Sequence, residues 1–408
     1  MLTFPRHCAK ININKEKIVQ LGRLSLGLLV DLEGTMQASV KLGKIFGIPI
    51  GLHYSWFLIF ALITYELGTG YFTRQAPQLS GSINLLLALV TSLLFFASVL
   101  LHELGHSVIA LRNRIPVKGI TLFIFGGLAQ IAREPETPGA EFRIAIAGPL
   151  TSFALAGLFG ALYLFGQALP LLAAPSRYLM EINFILALFN LLPGFPLDGG
   201  RVLRSIVWKL TGNYPRSTRI ASISGRLLAF SFIALGVFSL FNGQITNGLW
   251  LVFIGWFLQG AAASAVSHVN LQEKLRGLTV GQAMSQDYSQ VPGLMTLNQI
   301  VQERVLTSGQ HNFFVLDYTT GEPNGMLTLQ EITAIPQLKW RFITAQEVMK
   351  PMHRLASVAP ETELLAAMQM MEQDHLLQIP VLNRDHLVGL ISRESVLRVL
   401  RLRSELGI

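Results

Sequence analysis

Two histidines and a glutamate, His102, Glu103 and His106, lie inside an apolar run, residues 83–111, that is long enough to cross a lipid bilayer. Two histidines four residues apart on a helix lie on the same face, so both imidazoles can bind one metal ion. Glu103 lies at the edge of that face, where a carboxylate can act as general base on a water molecule. Ionisable groups are costly in hydrocarbon and are functional candidates by default. The pattern therefore predicts zinc chemistry inside a membrane.

The composition favours a membrane protein over a soluble domain. The mean hydropathy is +0.47, and 51% of the residues are hydrophobic against 14% charged. The net charge of +8 could indicate nucleic-acid binding, but Lys and Arg cluster at the ends of the apolar runs, where the positive-inside rule places them. We therefore expect no nucleic-acid partner. The single cysteine, Cys8, excludes an intramolecular disulfide and a cysteine-based zinc site.

Six apolar stretches reach or approach the length of a transmembrane helix: residues 52–72, 83–111, 144–169, 178–192, 220–241 and 249–266. Six crossings put both termini on the same side of the membrane. Most basic residues of this region lie before the first crossing or in the second-to-third and fourth-to-fifth connections: Lys41, Lys44, Arg112, Arg114, Lys118, Arg133, Arg143, Arg204, Lys209, Arg216 and Arg219. The opposite connections carry only Arg74 and Arg177. The positive-inside rule therefore predicts cytoplasmic termini.

A catalytic zinc site needs a third protein ligand and an open position for water. Within the apolar region the best candidate is Asp198, which lies in a Pro- and Gly-rich break, residues 193–200, of the fourth stretch. His102 and Asp198 are similarly far from the first residue of their stretches, so both are expected about 30 Å below the outer face. The alternative is a plain loop with an Asp-Gly turn. The matching depth of the histidines favours the metal ligand.

Taken together, these motifs resemble the site-2 protease family of intramembrane zinc metalloproteases. The resemblance rests on His-Glu-x-x-His, on Asn-x-x-Pro-x-x-Pro-Leu-Asp-Gly-Gly-Arg at residues 190–201, and on Ala-Gly-Pro at residues 147–149 between them. With the C-terminal repeat described below, it points to the branch related to sporulation factor IVFB. It implies one zinc per chain and the following site residues: His102, His106 and Asp198 as zinc ligands, Glu103 as catalytic base, and Asn190 as a group that holds the scissile peptide or the oxyanion.

Residues 118–132 predict a re-entrant β-hairpin with a glycine turn at Gly126 and Gly127. Cleavage needs an extended peptide at the zinc, and strand addition to such a hairpin would supply it. An ordinary connecting hairpin fits the sequence equally well, and the family resemblance favours substrate presentation. His53, at the start of the first stretch, matches a position where the family commonly has a histidine. A lone histidine at a membrane interface is more often a hydrogen-bonded residue, so His53 is a secondary candidate.

After residue 266 the sequence becomes mixed polar and apolar and contains a repeat. Residues 278–284 match residues 343–349 in pattern, and each copy continues with a helix, two strands and a second helix. This repeat resembles a tandem CBS domain pair. CBS pairs commonly bind adenosine nucleotides through a Thr or Ser and an Asp three residues later. The matching residues are Thr328 with Glu331 in the first copy and Ser392 with Ser395 in the second. Neither pair keeps the Asp. We therefore expect weak or single-site binding of an adenosine nucleotide such as ATP.

These observations divide the chain into an N-terminal extension (1–43), a transmembrane zinc metalloprotease domain (44–268) and two CBS domains (278–336 and 343–402). The extension does not form a convincing signal peptide, and Met36 begins a sequence that could itself be an N-terminus. The expected fold is a polytopic α-helical membrane protein with six transmembrane helices and a re-entrant β-hairpin, followed by a soluble α/β CBS pair.

The function that this sequence favours is an intramembrane zinc endopeptidase, which cleaves peptide bonds in or near transmembrane segments of membrane-protein substrates. Family analogy suggests regulated-proteolysis signalling in a bacterial inner membrane or an internal membrane, with the CBS pair as regulatory module and homodimer interface. The alternative, from another class, is a CBS-regulated ion transporter or channel whose ion site is formed by His102, His106 and Asp198. Glu103 discriminates the two, because a base is indispensable for proteolysis and is not needed for permeation.

Overall fold

The computed structural model describes residues 39–124, 126–374, 376–384 and 386–406. Residues 1–38, which include most of the predicted extension with Cys8 and Met36, lie outside the described residues. The chain divides into two compact units, Met1–Ser267 and His268–Ile408. The first unit is mainly helical, and the second is a mixture of short helices and strands.

Among the described residues, five helices are long and apolar enough to cross a membrane, judged by length and composition, and the last of them continues past Ser267. In chain order the helical segments are α1 (Tyr54–Glu66), a π-helical turn (Leu67–Tyr71), α2 (Phe72–Gln75), α3 (Gly81–Arg112), α4 (Pro138–Phe165), α5 (Pro170–Asn190), α6 (Asp198–Thr211), α7 (Tyr214–Phe241) and α8 (Ile245–Leu275). The five candidate spans are α3, α4, α5, α7 and α8. The first predicted crossing, residues 52–72, corresponds to α1, the π-helical turn and α2, none of which alone has the length of a span.

Local sequence signals set several helix ends. A proline occupies the first turn of α4, α5 and α7, where its missing N–H would have no helical partner. The side chains of Thr137 and Asn213 cap the starts of α4 and α7 by accepting hydrogen bonds from backbone N–H groups. Helix α6 ends at Thr211, and the next residue, Gly212, caps it with a left-handed φ of 67° that suits glycine.

A four-stranded sheet lies within this helical unit. Its strands are β1 (Val40–Ile45), β2 (Ile48–Leu52), β3 (Val117–Phe123) and β4 (Gly126–Ile131), arranged in that order. Strands β2 and β3 are parallel and the other two pairs are antiparallel. The β1–β2 hairpin was not predicted from the sequence, and β1 begins inside the range assigned to the extension.

The hairpin predicted for residues 118–132 is present as β3 and β4, but its turn lies elsewhere than expected. Strand β4 begins at Gly126, which pairs with Phe123, and Gly127 pairs with Leu122. Both glycines are therefore strand residues, and the prediction of a glycine turn was wrong. Gly126 has φ of 128°, a conformation that L side chains rarely adopt. Gly127 lies against the side chain of Glu103.

The second unit contains the predicted repeat. Its elements are α9 (Val280–Ala283), β5 (Gln290–Pro292), α10 (Leu297–Ile300), a π-helical turn (Val301–Val305), α11 (Leu306–Ser308), β6 (Asn312–Leu316), β7 (Pro323–Thr328), α12 (Leu329–Thr333), a 3₁₀ turn (Gln337–Lys339), α13 (Ala345–Val348), β8 (Lys350–Pro351), a second 3₁₀ turn (Met352–Arg354), α14 (Leu364–Gln373), β9 (Gln378–Asn383), β10 (His386–Ser392) and α15 (Arg393–Leu406). The strands form one sheet in the order β5-β6-β7-β8 and a second sheet of β9 and β10.

The first segment of each copy of the repeat packs against the other copy, so the two copies exchange these segments. Strand β8 follows the first helix of copy two but pairs with β7 of copy one, and Ser285 of copy one pairs with Leu390 of copy two. The apolar cores follow the same exchange. One core combines Ala345 with residues of copy one, and the other combines residues of the first segment with copy two: Leu275, Leu278, Val280 and Ala283 with Val358, Leu364, Ala367, Met371, Ile379, Val381, Ile391 and Val396. Each core therefore needs residues from both copies.

This exchange predicts that copy two does not fold by itself. A fragment of residues 343–408 lacks Leu278 and Val280, and the loss of each buried aliphatic side chain costs about 1.5 to 3 kcal/mol against a domain stability of about 5 to 15 kcal/mol. We expect cooperative thermal unfolding, followed by circular dichroism, for a fragment of residues 268–408 and none for residues 343–408. In the longer fragment, Val280→Asp should abolish the transition. A cooperative transition in the short fragment would contradict the exchange.

Candidate metal centre

Three potential metal ligands converge between α3 and the start of α6. His102 and His106 lie on successive turns of α3, and Asp198 is the first residue of α6. Asp198 Oδ2 lies 3.2 Å from His102 Nε2 and 3.1 Å from His106 Nε2, and the two Nε2 atoms are 3.3 Å apart. Each histidine is 4% exposed. The structure thus brings together the three ligands predicted from the sequence.

The spacing of these three atoms fits a zinc ion. Zinc binds imidazole nitrogen and carboxylate oxygen at about 2.0 to 2.2 Å in tetrahedral geometry, so neighbouring ligand atoms are expected to be about 3.3 Å apart. The three observed separations, 3.1 to 3.3 Å, agree with the edges of such a tetrahedron. Three protein ligands leave the fourth position for water or substrate, as a catalytic site requires.

The outer nitrogen of each imidazole is held by α4. His106 Nδ1–H donates to the carbonyl of Ile144 at 2.7 Å, which leaves the lone pair of Nε2 for a metal. His102 Nδ1 hydrogen-bonds Ser152 Oγ at 2.8 Å. Neither contact was predicted from the sequence. Their signal was the four-residue spacing of Ile144, Gly148 and Ser152, which places the three residues on one face of a helix.

Gly148 allows α4 to approach the ligands closely. A Cβ atom at this position would lie 2.1 Å from His106 Nε2 and 2.6 Å from His102 Nε2. It would occupy the space that a metal bound to these nitrogens needs. The Ala-Gly-Pro motif of residues 147–149 therefore has a physical reason in the approach of its glycine to both imidazoles.

A tightly packed turn presents Asp198. Helix α5 ends at Asn190, and the next helix begins at Asp198. A Cβ atom on Gly199 would lie 2.3 Å from the carbonyl oxygens of Leu191 and Leu192, and one on Gly200 would lie 2.4 Å from Gly194. Only glycines fit against this part of the turn. The turn and the first residues of α6 therefore form one packed structure, which fixes the direction of the carboxylate.

Glu103 lies against β4, an edge strand of the sheet. A Cβ atom on Gly127 would lie 2.4 Å from Cγ of Glu103 and 3.2 Å from its Oε1. Because β4 comes last in the order of the sheet, the side chain expected to act as base lies beside a sheet edge.

Two further candidates occupy simpler positions. Asn190 is the last residue of α5 and is half-buried, and its role at the scissile peptide stays a prediction. His53 is buried and caps α1, because its Nδ1 accepts a hydrogen bond from the backbone N–H of Ser55 at 3.3 Å. Ser55 Oγ in turn accepts a hydrogen bond from the N–H of Ile124 at 3.2 Å. His53 is therefore connected to the β3–β4 hairpin through Ser55, and its role at the site stays a prediction.

The residues predicted to contact a nucleotide form hydrogen bonds within each of the two pairs, Thr328 with Glu331 and Ser392 with Ser395. Glu331 accepts from the backbone N–H of Thr328 at 2.9 Å and from its hydroxyl, and Lys350 pairs with the other carboxylate oxygen at 2.8 Å. Burial raises the pKa of Glu331, but the hydrogen bonds from Lys350 and Thr328 outweigh that effect, so the pKa is lowered. In copy two, Ser395 N–H donates to Ser392 Oγ at 3.2 Å.

Comparison with known proteins identifies relatives of both units. Residues 90–177 and 170–235 match peptidase family M50, and residues 345–402 match the CBS domain. The chain is 35% identical over 371 residues to a candidate zinc metalloprotease of Synechocystis sp., covering 90% of this chain and 96% of that relative. It is 29% identical over 375 residues to a zinc metalloprotease of Methanocaldococcus jannaschii, covering 91% and 99%. Among solved structures, a site-2 protease from Methanocaldococcus jannaschii is 32% identical and covers 56% of this chain and 94% of that one, with a TM-score of 0.39.

The close approach of Gly148 predicts that Gly148→Ala abolishes metal binding. The added methyl group would overlap the space between the two Nε2 atoms, so we expect the zinc content of the purified protein, measured by mass spectrometry, to fall at least about tenfold. Gly157→Ala is a matched control in the same helix, because nothing lies within 4 Å of a Cβ there. Equal zinc content in the two variants would show that Gly148 does not border the metal.

Proposed function

This chain belongs to peptidase family M50, and we propose that it hydrolyses peptide bonds in or next to the transmembrane helices of membrane-protein substrates. It is a zinc metalloprotease of the site-2 protease type and carries a CBS domain. The observation that carries the proposal is the convergence of His102, His106 and Asp198 within 3.1 to 3.3 Å of one another, with Glu103 beside a sheet edge.

We assign His102, His106 and Asp198 as the ligands of one zinc per chain. When bound, zinc polarises the scissile carbonyl and lowers the pKa of water. Glu103 takes a proton from the attacking water and delivers it to the leaving nitrogen, a role that its position one residue after His102 supports. Asn190 orients the scissile peptide or its oxyanion. Its place at the end of α5, directly before the turn that carries Asp198, supports this assignment.

The substrate binds as an additional strand along β4. Hydrolysis needs an extended peptide, and an edge strand supplies backbone hydrogen bonds to such a peptide. The contact of Glu103 with Gly127 supports this mode, because a peptide added to the edge would lie close to the base. The hairpin of β3 and β4 is then a re-entrant substrate-binding element.

We further propose that the chain crosses the membrane six times, with both termini in the cytoplasm. Five long apolar helices are consistent with an integral membrane protein. The helical residues from Tyr54 to Gln75 supply the remaining crossing, since α1, the π-helical turn and α2 follow one another in the chain without a gap. The asymmetric distribution of Lys and Arg between the connections supports this orientation in a bacterial inner membrane or an internal membrane.

The alternative of an ion transporter or channel is not favoured. The match to peptidase family M50 covers both halves of the metal centre, from α3 to α7. A permeation site also has no use for a further carboxylate beside a sheet edge, whereas a peptidase needs both features.

Regulation is the role we assign to the CBS pair. We infer that it binds an adenosine nucleotide weakly, forms a homodimer interface, and thereby controls proteolysis in a signalling pathway. The contacts of Glu331 support weak binding, because Thr328 and Lys350 already use both of its carboxylate oxygens. A ligand can regulate only by binding two arrangements of the enzyme unequally.

Glu103→Gln should retain zinc and lose proteolysis. The amide keeps the size of the side chain but cannot accept the proton of water, so we expect cleavage of a model transmembrane substrate to fall by about 100-fold or more. Glu136→Gln, an exposed acidic residue outside the centre, is the control and should leave cleavage unchanged. Normal cleavage by Glu103→Gln would refute its role as base. Comparing the membrane proteomes of cells with wild type or Glu103→Gln should then reveal the uncut substrate.

Calorimetry with ATP tests the CBS assignment. In the fragment of residues 268–408 we expect at most one weak site per chain, which Glu331→Ala removes. Glu347→Ala is the matched control, because Glu347 forms the same capping contact with Thr344 that Glu331 forms with Thr328. Absence of binding, together with cleavage by the full protein that ATP does not change, would leave the pair as a dimerisation or docking module.

A further inference from the structure

A buried arginine, Arg204, lies two turns after Asp198 on α6. It is 6% exposed, and its guanidinium donates to Oε1 of Glu141 through Nε at 2.6 Å and through a second nitrogen in a shorter contact. Glu141 itself is fully buried, in the first turn of α4. A second carboxylate, that of Glu134, lies 3.3 Å from the guanidinium and also accepts from the hydroxyl of Tyr214.

Aromatic rings complete the surroundings of Arg204. The carbon of its guanidinium lies 5.0 Å from the ring centre of Phe195 and 4.8 Å from that of Tyr214, both within the range of cation–π contact. Phe195 belongs to the turn that precedes Asp198, and Tyr214 begins α7. One side chain therefore contacts α4, the turn before α6, and α7.

These contacts link the backbone segments that orient two of the proposed metal ligands, His106 and Asp198. Glu141 lies one helical turn before Ile144, whose carbonyl accepts from His106 Nδ1. Phe195 lies three residues before Asp198. A shift of Arg204 would therefore move α4 against α6, and with them the carbonyl that orients His106 and the turn that aims Asp198.

We propose that Arg204, through its ion pair with Glu141, is a positioning residue that sets the zinc affinity of the His102, His106 and Asp198 centre. The inference rests on the proposed zinc site and adds residues that do not touch the metal. Its basis is geometric, since two nitrogens of the planar guanidinium contact one oxygen, Oε1, of a buried carboxylate, and two aromatic rings lie against the guanidinium.

Stability alone does not explain such a pair. A buried ion pair loses as much by desolvation as it gains by attraction, and apolar replacements of both partners are often neutral or stabilising. Here Oε2 of Glu141 is buried with no hydrogen-bond partner among the described residues, which adds to that cost. A pair of this kind instead fixes the relative orientation of the helices it joins. A change in that orientation should be measurable as a change in zinc affinity.

The test measures the zinc dissociation constant of the full-length protein in detergent by competition with a chelator. Loss of outer contacts typically weakens metal binding about 10- to 100-fold, so we expect an increase of that size in Arg204→Met. Arg204→Lys keeps the charge but not the planar fork, and Glu141→Gln keeps the shape but not the charge; both should show intermediate increases. Arg177→Met is the control, because Arg177 pairs with Glu181 at 2.9 Å on α5 but is 43% exposed and far in sequence from the ligands.

A double variant, Arg204→Met with Glu141→Met, separates positioning from stability. We expect the metal-free double variant to melt at or above the melting temperature of the metal-free wild type, while its zinc binding stays as weak as that of Arg204→Met. Wild-type affinity in the folded double variant would overturn the proposal. If Arg204→Met does not fold, wild-type affinity in both Arg204→Lys and Glu141→Gln overturns it. A wild-type protein that binds no zinc would instead refute the metal centre on which the inference depends.

Discussion

The need to keep two imidazoles and a carboxylate within 3.3 Å of one another among apolar helices governs the packing of the first unit. Polar groups in such surroundings must be hydrogen-bonded, so each imidazole uses its outer nitrogen on α4. This requirement draws α3 and α4 together. A Cβ atom on Gly105 would lie 3.0 Å from the carbonyl oxygen of Ala147, and one on Gly148 would reach the imidazoles, so small residues line both sides of the contact.

The carboxylate imposes a second constraint, because it must come from a different helix and point back at α3. A continuous α5 would carry the chain past the centre. The Pro- and Gly-rich turn after Asn190 ends that helix and starts a new one at Asp198, whose negative charge is favourable at a helix N-terminus. The contacts of Arg204 with Phe195 and Glu141 join this turn to α4. In the arrangement we propose, zinc affinity would therefore depend on four packed segments and not on three side chains alone.

The sequence revealed what depends on local spacing and missed what depends on tertiary contact. The His102–His106 pattern and the helix break before Asp198 are encoded within a few residues each, so the convergence of these three residues was predictable. Ser152 and Arg204 bind partners that lie 50 and 63 residues away along the chain, and no local signal announces them. The same holds for the parallel pairing of β2 with β3 and for the exchange of segments in the CBS pair. Paired glycines usually mark a turn, so a turn was the expectation for Gly126 and Gly127. Both lie in β4 instead, where Gly126 adopts a positive φ and Gly127 leaves room for the side chain of Glu103.

In the function proposed here, the sheet beside Glu103 would lower an energetic cost of intramembrane hydrolysis. A transmembrane helix satisfies all its backbone groups internally, and unwinding it in hydrocarbon leaves each exposed N–H and C=O group at a cost of several kcal/mol. An edge strand offers replacement hydrogen-bond partners to an extended segment beside Glu103, the proposed base. In the mechanism proposed here, the same hydrogen bonds would offset the cost of unwinding and hold the peptide in the extended form that hydrolysis requires. Helical segments that unwind readily, such as those with Gly or Pro, should therefore be cut in preference to regular apolar helices.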